Sequence, residues 1–258
     1  MRIVVKVGTS TLTHSCGRLN IRRTEQFVKT LCDLKNSGCE LVLVSSGAIG
    51  LGAGKLQISR PRDMRTKQAA AAVGQCELMY VYDRLFAEYN HTVAQLLLTR
   101  EDFDNDQRLE NLENTVFRLL ELGVIPIINE NDTVATEEIA VGDNDTMSAM
   151  VAKYVHADLL VLLSDIDGLY TKDPHLHDDA ELISHVYELT PEILSIAGEA
   201  GSSLGTGGMA TKLIAAGIIM DAGADMLIAN GKDPGILYDI VEGKQVGTRF
   251  HGNGGKMV

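Results

Sequence analysis

The stretch that decides the fold is the first one, Ile3-Val4-Val5-Lys6-Val7-Gly8-Thr9-Ser10-Thr11. An apolar, β-branched run this short reads as a strand buried on both faces, as in a parallel sheet. Lys6 interrupts it, and a lysine in a core strand is costly unless an anion meets it. Directly behind it come Gly8 and three hydroxyl residues, a backbone that a ligand can approach closely with N–H groups able to receive negative charge. Two readings stand: a phosphate-binding strand end, or an N-terminal edge strand whose lysine snorkels to water.

Working outward, Asn20 to Asn36 sets Phe27, Val28, Leu31, Cys32 and Leu34 at helical spacing, with Gly38 where a helix stops, and Leu41-Val42-Leu43-Val44 reads as a second buried strand. Strand, helix and strand imply a right-handed parallel crossover. The second strand runs into Ser45-Ser46-Gly47-Ala48-Ile49-Gly50-Leu51-Gly52-Ala53-Gly54, a small-residue loop at the strand end where open α/β sheets bind ligands; a close helix–sheet contact is the alternative. Next come a helix over Gln68 to Tyr89, a strand over Thr92 to Leu98, a helix over Leu109 to Leu122 and a strand over Val124 to Ile128. Pro126 predicts that this last strand is an edge or carries a bulge. Asn129 to Thr133 then marks a ligand end. In Gly142-Asp143-Asn144-Asp145 one residue serves as a helix N-cap, which accounts for one polar side chain but not three.

The second half repeats the rhythm. Leu159 to Leu163 ends in Ser164-Asp165, followed by Asp167-Gly168, where an aspartate holds a ribose or adenine edge or simply makes an Asx turn. Gly205-Thr206-Gly207-Gly208-Met209-Ala210-Thr211-Lys212 opens a helix bearing Leu213, Ile214, Ala216 and Met220. Glycine-rich backbone at a helix N-terminus, with a lysine in the first turns, is an anion cradle. It matches neither the P-loop pattern nor G-x-G-x-x-G. The chain closes with a strand at Met226 to Ala229, a short helix at Ile236 to Val241, and Gly247 to Phe250. No repeat or linker divides it, so residues 1–258 read as one α/β domain.

The net charge of −12, from 35 acidic and 23 basic residues, disfavours nucleic acid and anionic membrane as partners. The cysteines, Cys16, Cys32, Cys39 and Cys76, form no C-x-x-C pair and have no histidine at metal-ligand spacing, which fits a reduced, cytoplasmic setting. No apolar run approaches the roughly 20 residues that span a bilayer, and no signal-peptide order is visible.

In order along the chain, Val5-Lys6-Val7-Gly8-Thr9-Ser10, Val44-Ser45-Ser46-Gly47-Ala48-Ile49, Ala72-Val73-Gly74-Gln75, Ile128-Asn129-Glu130-Asn131-Asp132, Gly142-Asp143-Asn144-Asp145, Asp167-Gly168-Leu169-Tyr170 and the Gly205 to Lys212 stretch resemble the amino-acid kinase family. The resemblance implies a three-layer αβα sandwich with a mostly parallel open sheet, the phosphoryl acceptor bound by the N-terminal half and ATP by the C-terminal half. Within the family it points to the branch that phosphorylates the side-chain carboxylate of L-glutamate to L-glutamyl 5-phosphate, the first step of proline biosynthesis.

That resemblance makes Lys6 and Lys212 the cations on the transferring phosphoryl group, with Asp145 holding them in place. The backbone of Gly8, Gly47 and Gly208 would donate to the same oxygens. It gives the glutamate contacts to Ser46, Asp132 and Asn144, with Asp132 on the α-ammonium and the other two on the carboxylates. The ATP contacts are Lys6, Gly8, Ser164, Asp165, Thr206, Gly207, Gly208, Met209, Ala210, Thr211 and Lys212. Magnesium is expected to ride on the ATP phosphates, with no fixed metal site on the protein. Many members add a C-terminal PUA domain, for which the chain leaves no room after Phe250, and Ser164 stands where relatives often carry threonine. The resemblance further implies a homo-oligomer, proline as feedback inhibitor and hand-over of product to glutamyl phosphate reductase. Rival readings are a kinase for another acceptor, such as N-acetylglutamate, carbamate, aspartate or a nucleoside monophosphate, and a non-catalytic sensor on the same scaffold.

Overall fold

A computed structural model describes residues 1–14, 17–59, 61–135, 144–174, 176–199 and 208–253. The first strand, β1 (Arg2–Val7), lies at the centre of the sheet rather than at its edge. It pairs in parallel with β2 (Glu40–Ser45) on one side and with β5 (Leu159–Ser164) on the other. The full order is β3-β4-β2-β1-β5-β7-β8-β6, where β3 is Val93–Leu98, β4 Ile125–Glu130, β6 His185–Val186, β7 Asp225–Asn230 and β8 Thr248–Phe250. Every pairing is parallel except that of β7 with β8. The edge-strand reading of Lys6 is thereby removed.

The edge reading of Pro126 fails as well, because β4 is flanked by both β3 and β2. Ile125 N donates to Thr92 O of the β3 side at 2.9 Å, which turns the nitrogen of Pro126 toward β2. The ladder with β2 begins only at Ile127, so the missing N–H falls just before it.

The two-residue period of the strands sorts the core into two layers. Ile3, Val5, Val7, Leu41, Leu43, Ile127, Val161 and Leu163 face α2 (Ile21–Asn36), α4 (Met64–Ala87) and α10 (Ile236–Val241). Val4, Val42, Val44, Ile128, Leu160, Leu162 and Ile228 face α6 (Asp106–Glu121), α7 (Asn144–Tyr154) and α9 (Met209–Asp221). Lys6 shares the face of Val4, and that parity aims it at α7 and α9. Helix starts follow local chemistry: Asn20 caps α2 through Arg23 N, and Asp63 caps α4 through Thr66 N, so that α4 begins at Met64, four residues before the start expected from the alanine run. Of the remaining elements, α1 is Thr9–Leu12, α3 Ala48–Leu56, α5 Glu101–Asp104 and α8 Pro191–Glu199.

The small-residue stretch after β2 is mostly helix, not loop. Gly47 takes φ 99° at the N-cap, and α3 then runs through three more glycines. Of these, Gly52 serves a helix–helix contact in place of the expected helix–sheet one: a Cβ on Gly52 would lie 1.8 Å from Ala70 O, and one on Gly74 of α4 would lie 1.7 Å from Ala48 O. Backbone meets backbone there, so neither side can yield. Gly52→Ala or Gly74→Ala should therefore cost about 3 kcal/mol or more. Gly50→Ala, whose Cβ would meet only Thr9 Cγ2, at 3.6 Å, among the described residues, should be neutral or stabilising. Thermal melts of the three variants check this, and equal midpoints for Gly50→Ala and Gly52→Ala would refute it.

Candidate active site

Lys6 from β1, Asp145 from the first turn of α7 and Lys212 from the first turn of α9 converge beyond the carboxyl ends of the central strands. Lys6 Nζ donates to Asp145 Oδ1 at 2.5 Å, and Lys212 Nζ donates to Asp145 Oδ2 at 2.9 Å. Thr211 Oγ1 adds a bond to Oδ2 at 3.3 Å. The carboxylate is fully buried at 0 % exposure, and the lysines are 8 % and 5 % exposed. Burial alone would push the Asp145 carboxyl up; the ammonium groups of Lys6 and Lys212, as charges and as donors, outweigh it and hold the group below the ordinary carboxylate range. The anion that a core lysine demands is supplied here by the chain itself, and the three side chains together carry one net positive charge. Neither Asn144 nor Asp145 acts as the expected N-cap, since both lie inside the first turn and point into the site.

Beside this trio lies a buried amide network. Asn144 Nδ2 donates to Ser45 O at 2.8 Å, Ser46 Oγ at 3.0 Å and Asn129 Oδ1 at 3.0 Å. Ser45 O can only accept, so the orientation of the Asn144 amide is fixed by chemistry. Its donors are spent on protein, and no described residue donates to its Oδ1. The expectation that Asn144 donates to a substrate carboxylate fits this geometry poorly; what it can offer a ligand is an acceptor. Asn129 Oδ1 also accepts from Glu130 N at 2.9 Å, and Asn129 Nδ2 donates to Gln75 Oε1 at 2.7 Å. Ser45 Oγ and Tyr82 OH are 2.9 Å apart in the layer behind, where burial pushes the Tyr82 hydroxyl up. Ser46 and Asp132, half-buried, lie at the ends of β2 and β4, the same end of the sheet as Lys6.

Gly8 caps α1 and Gly208 caps α9, the latter with extended backbone and with no described residue within 4 Å of where a Cβ would stand. Ser164 closes β5; its Oγ donates to Asp165 Oδ1 at 3.2 Å, and Asp165 is exposed. Asp167 accepts from Tyr170 OH at 3.0 Å and from Asn230 Nδ2 at 2.7 Å, tying the turn after β5 to the end of β7. Next to it a cavity of about 600 Å³ is lined by Asn230, Lys232, Asp233, Gly235, Ile236 and Asp239. Met209, Ala210 and Thr211 form the first turn of α9; Thr206 and Gly207, like Gly142 and Asp143, lie outside the described residues.

Gln75 and Tyr82 receive no role from the sequence, which marks Asn129 only as part of a ligand end. The available signal is two polar residues seven apart in α4, which puts both on one helix face, here the face toward the sheet. No helix among the described residues is long and apolar enough to cross a membrane.

Comparison with known proteins agrees with this architecture. Three solved structures share the fold at low identity: carbamate kinase from Giardia lamblia bound to AMP-PNP (TM-score 0.68, 16% identity, 98% of each chain), UMP kinase from Bacillus anthracis (0.66, 16%, 98% of this chain and 96% of that one) and isopentenyl phosphate kinase (0.65, 17%, 97% and 100%). Curated relatives are far nearer in sequence. Glutamate 5-kinase of Clostridium tetani is 56% identical and that of Clostridium perfringens 52% identical, each alignment covering 96% of this chain and 94% of the relative. Glutamate 5-kinase of Caldanaerobacter subterraneus is 53% identical and longer, with 68% of its length covered. Residues 1–230 match the profile of the amino acid kinase family, and the chain belongs to that family, in the branch of the glutamate 5-kinases.

Proposed function

We propose that the chain transfers the γ-phosphoryl group of MgATP to the side-chain carboxylate of L-glutamate, giving L-glutamyl 5-phosphate and ADP as the first step of proline biosynthesis. The observation that carries the mechanism is the buried Lys6–Asp145–Lys212 trio, with one lysine from the central strand β1 and the other from the first turn of α9. In this reading the N-terminal half binds glutamate and the C-terminal half binds ATP, the two forming one catalytic domain. Lys6 and Lys212 flank the transferring group and balance the charge that spreads over its equatorial oxygens, while Asp145 fixes their separation. The backbone N–H groups of Gly8, Gly47 and Gly208, with Ser164, Asp165 and the first turn of α9, complete the nucleotide end.

No general base is needed, because the acceptor carboxylate is already ionised near neutral pH. Both oxygens of Asp145 are engaged by the lysines and Thr211, so we assign it to positioning those lysines rather than to a metal; magnesium enters on the ATP phosphates. At the acceptor end, Ser46 donates to a glutamate carboxylate, and Asp132 with Asn144 Oδ1 receives the α-ammonium. An acylated amine carries no charge and a single N–H for two acceptors, one of them a carboxylate, which favours free glutamate over N-acetylglutamate. Proline as a feedback inhibitor, a homo-oligomeric state and transfer of the labile acyl phosphate to glutamyl phosphate reductase complete the reading.

The test is ADP release with MgATP and each candidate acceptor, trapping acyl phosphate with hydroxylamine, with a parallel run containing proline. Hydroxamate from L-glutamate is expected; turnover only with another acceptor would move the substrate, and silence with all would overturn the reading. Asp132→Ala should raise KM for glutamate about 10- to 100-fold, the scale of a lost charged hydrogen bond, and leave KM for ATP within about twofold. Steady-state kinetics in both substrates check it.

A further inference from the structure

We infer that Gln75 is a positioning residue for the amino-acid pocket, acting through Asn129 to hold the acceptor end of Asn144 toward the substrate ammonium. This rests on the reading of Asn144 and Asp132 given above. Two backbone groups with fixed polarity set the direction of every amide between them. Glu130 N–H can only donate, so Asn129 must present Oδ1 to it, at 2.9 Å. Asn129 Nδ2 is then turned the other way and meets Gln75 Oε1 at 2.7 Å. At the far end Ser45 O can only accept, which commits Asn144 Nδ2 inward and leaves Oδ1 outward.

Gln75 is thus the terminal anchor of a chain that runs Gln75, Asn129, Asn144, and its side chain is 8 % exposed. Its own Nε2 is buried with no hydrogen-bond partner among the described residues. A buried amide that leaves one donor unsatisfied is destabilising to keep. The oxygen of Gln75 is what the site uses, and the nitrogen is the cost of having it there. The helix is placed for this: α4 is locked to α3 by the Gly52–Gly74 contact, and its Gln75 and Tyr82 reach under the ends of β4 and β2.

Gln75→Met keeps the length of the side chain and removes the acceptor. It also exchanges one unsatisfied donor for another, since Gln75 Nε2 disappears as Asn129 Nδ2 loses its partner, so the fold should survive. The readout is discrimination between L-glutamate and glutarate, which lacks the ammonium group. In Gln75→Met the ratio of kcat/KM for L-glutamate over glutarate should fall about three- to tenfold, the scale of one hydrogen bond, with KM for ATP unchanged. In an Asn144→Ala background the same substitution should change the ratio little, because the chain it supports has lost its last member. A generally structural role would lower turnover of both acceptors alike and would add to Asn144→Ala; either result overturns the proposal, as does a wild-type ratio. Should Gln75→Met not fold, Asn129→Ser breaks the same link from its other end, and full discrimination in that variant would sink the idea equally. A wild-type enzyme inactive on L-glutamate would instead remove the reading beneath it.

Discussion

Asp145→Asn should lower kcat by about 100-fold or more and at the same time lower the melting midpoint by roughly 10 °C. The first figure follows from the loss of preorganisation of both cations on the transferring phosphoryl group, each comparable to a catalytic hydrogen-bond donor. The second follows from burial. Asp145 is at 0 % exposure with lysine nitrogens at 2.5 and 2.9 Å, and asparagine keeps the shape while removing the charge. Two ammonium groups are then left close together with little water, a situation worth about 3–5 kcal/mol, and in a chain of this size each kcal/mol moves the midpoint by about 2–4 °C. The pH dependence carries the sign of a depressed carboxylate. Its contribution is complete above the ordinary carboxylate pKa and is lost as the pH falls below that range through the folded-state value. Asp145→Asn should lack that portion of the acid sensitivity. Nucleotide phosphates supply negative charge to the same lysines, so MgATP should raise the midpoint of the variant more than that of the wild type. A variant with wild-type turnover would end the assignment, and one with lowered turnover but an unchanged midpoint would contradict the expected effect of burial.

Lys6→Ala and Lys212→Ala should each reduce kcat by roughly 100-fold or more while melting closer to the wild type than Asp145→Asn does. Removing one lysine leaves the carboxylate still paired with the other, so no lone buried charge results. The pairing of a large kinetic loss with a small stability loss is what separates a phosphoryl-stabilising cation from a structural counter-ion. The two variants should also resemble each other, because the lysines bind the two oxygens of one carboxylate. Near-wild-type turnover in either would remove that residue from the mechanism. Equal stability losses in all three variants would argue that the trio serves the fold alone.

The strands and the parity of their side chains are legible in the sequence because apolar β-branched runs have only one way to be buried. Lys6 is conspicuous for the same reason, and its demand for an anion is met in kind, though the first anion is Asp145, 139 residues away, which no local pattern reveals. The Ser45 to Gly54 stretch reads as loop because four glycines lower helix propensity, and a tertiary contact with α4 outweighs that preference. Pro126 reads as an edge or bulge residue, yet the ladder on its β2 side begins one residue after it and leaves its missing N–H unneeded. The two-residue β6 and the amphipathic α8 find no counterpart in the sequence reading, the first being too short to show a period. Roles within the site are the least legible. Which end of an amide faces a ligand depends on which fixed backbone donor or acceptor lies on its other side, and the sequence holds no trace of that for Asn144 or Asn129.

The central position of β1 also orders the birth of the enzyme. Within these residues β1 can pair with residues 40–45 while residues 159–164, its partner on the other side, are still to come. Such long-range parallel closure is slow and leaves a sheet edge bare while the chain leaves the ribosome. A chain halted before Asn144 would carry Lys6 on that open strand with no Asp145 to meet it, and a charge in an unpaired strand disfavours closing on a wholly apolar partner.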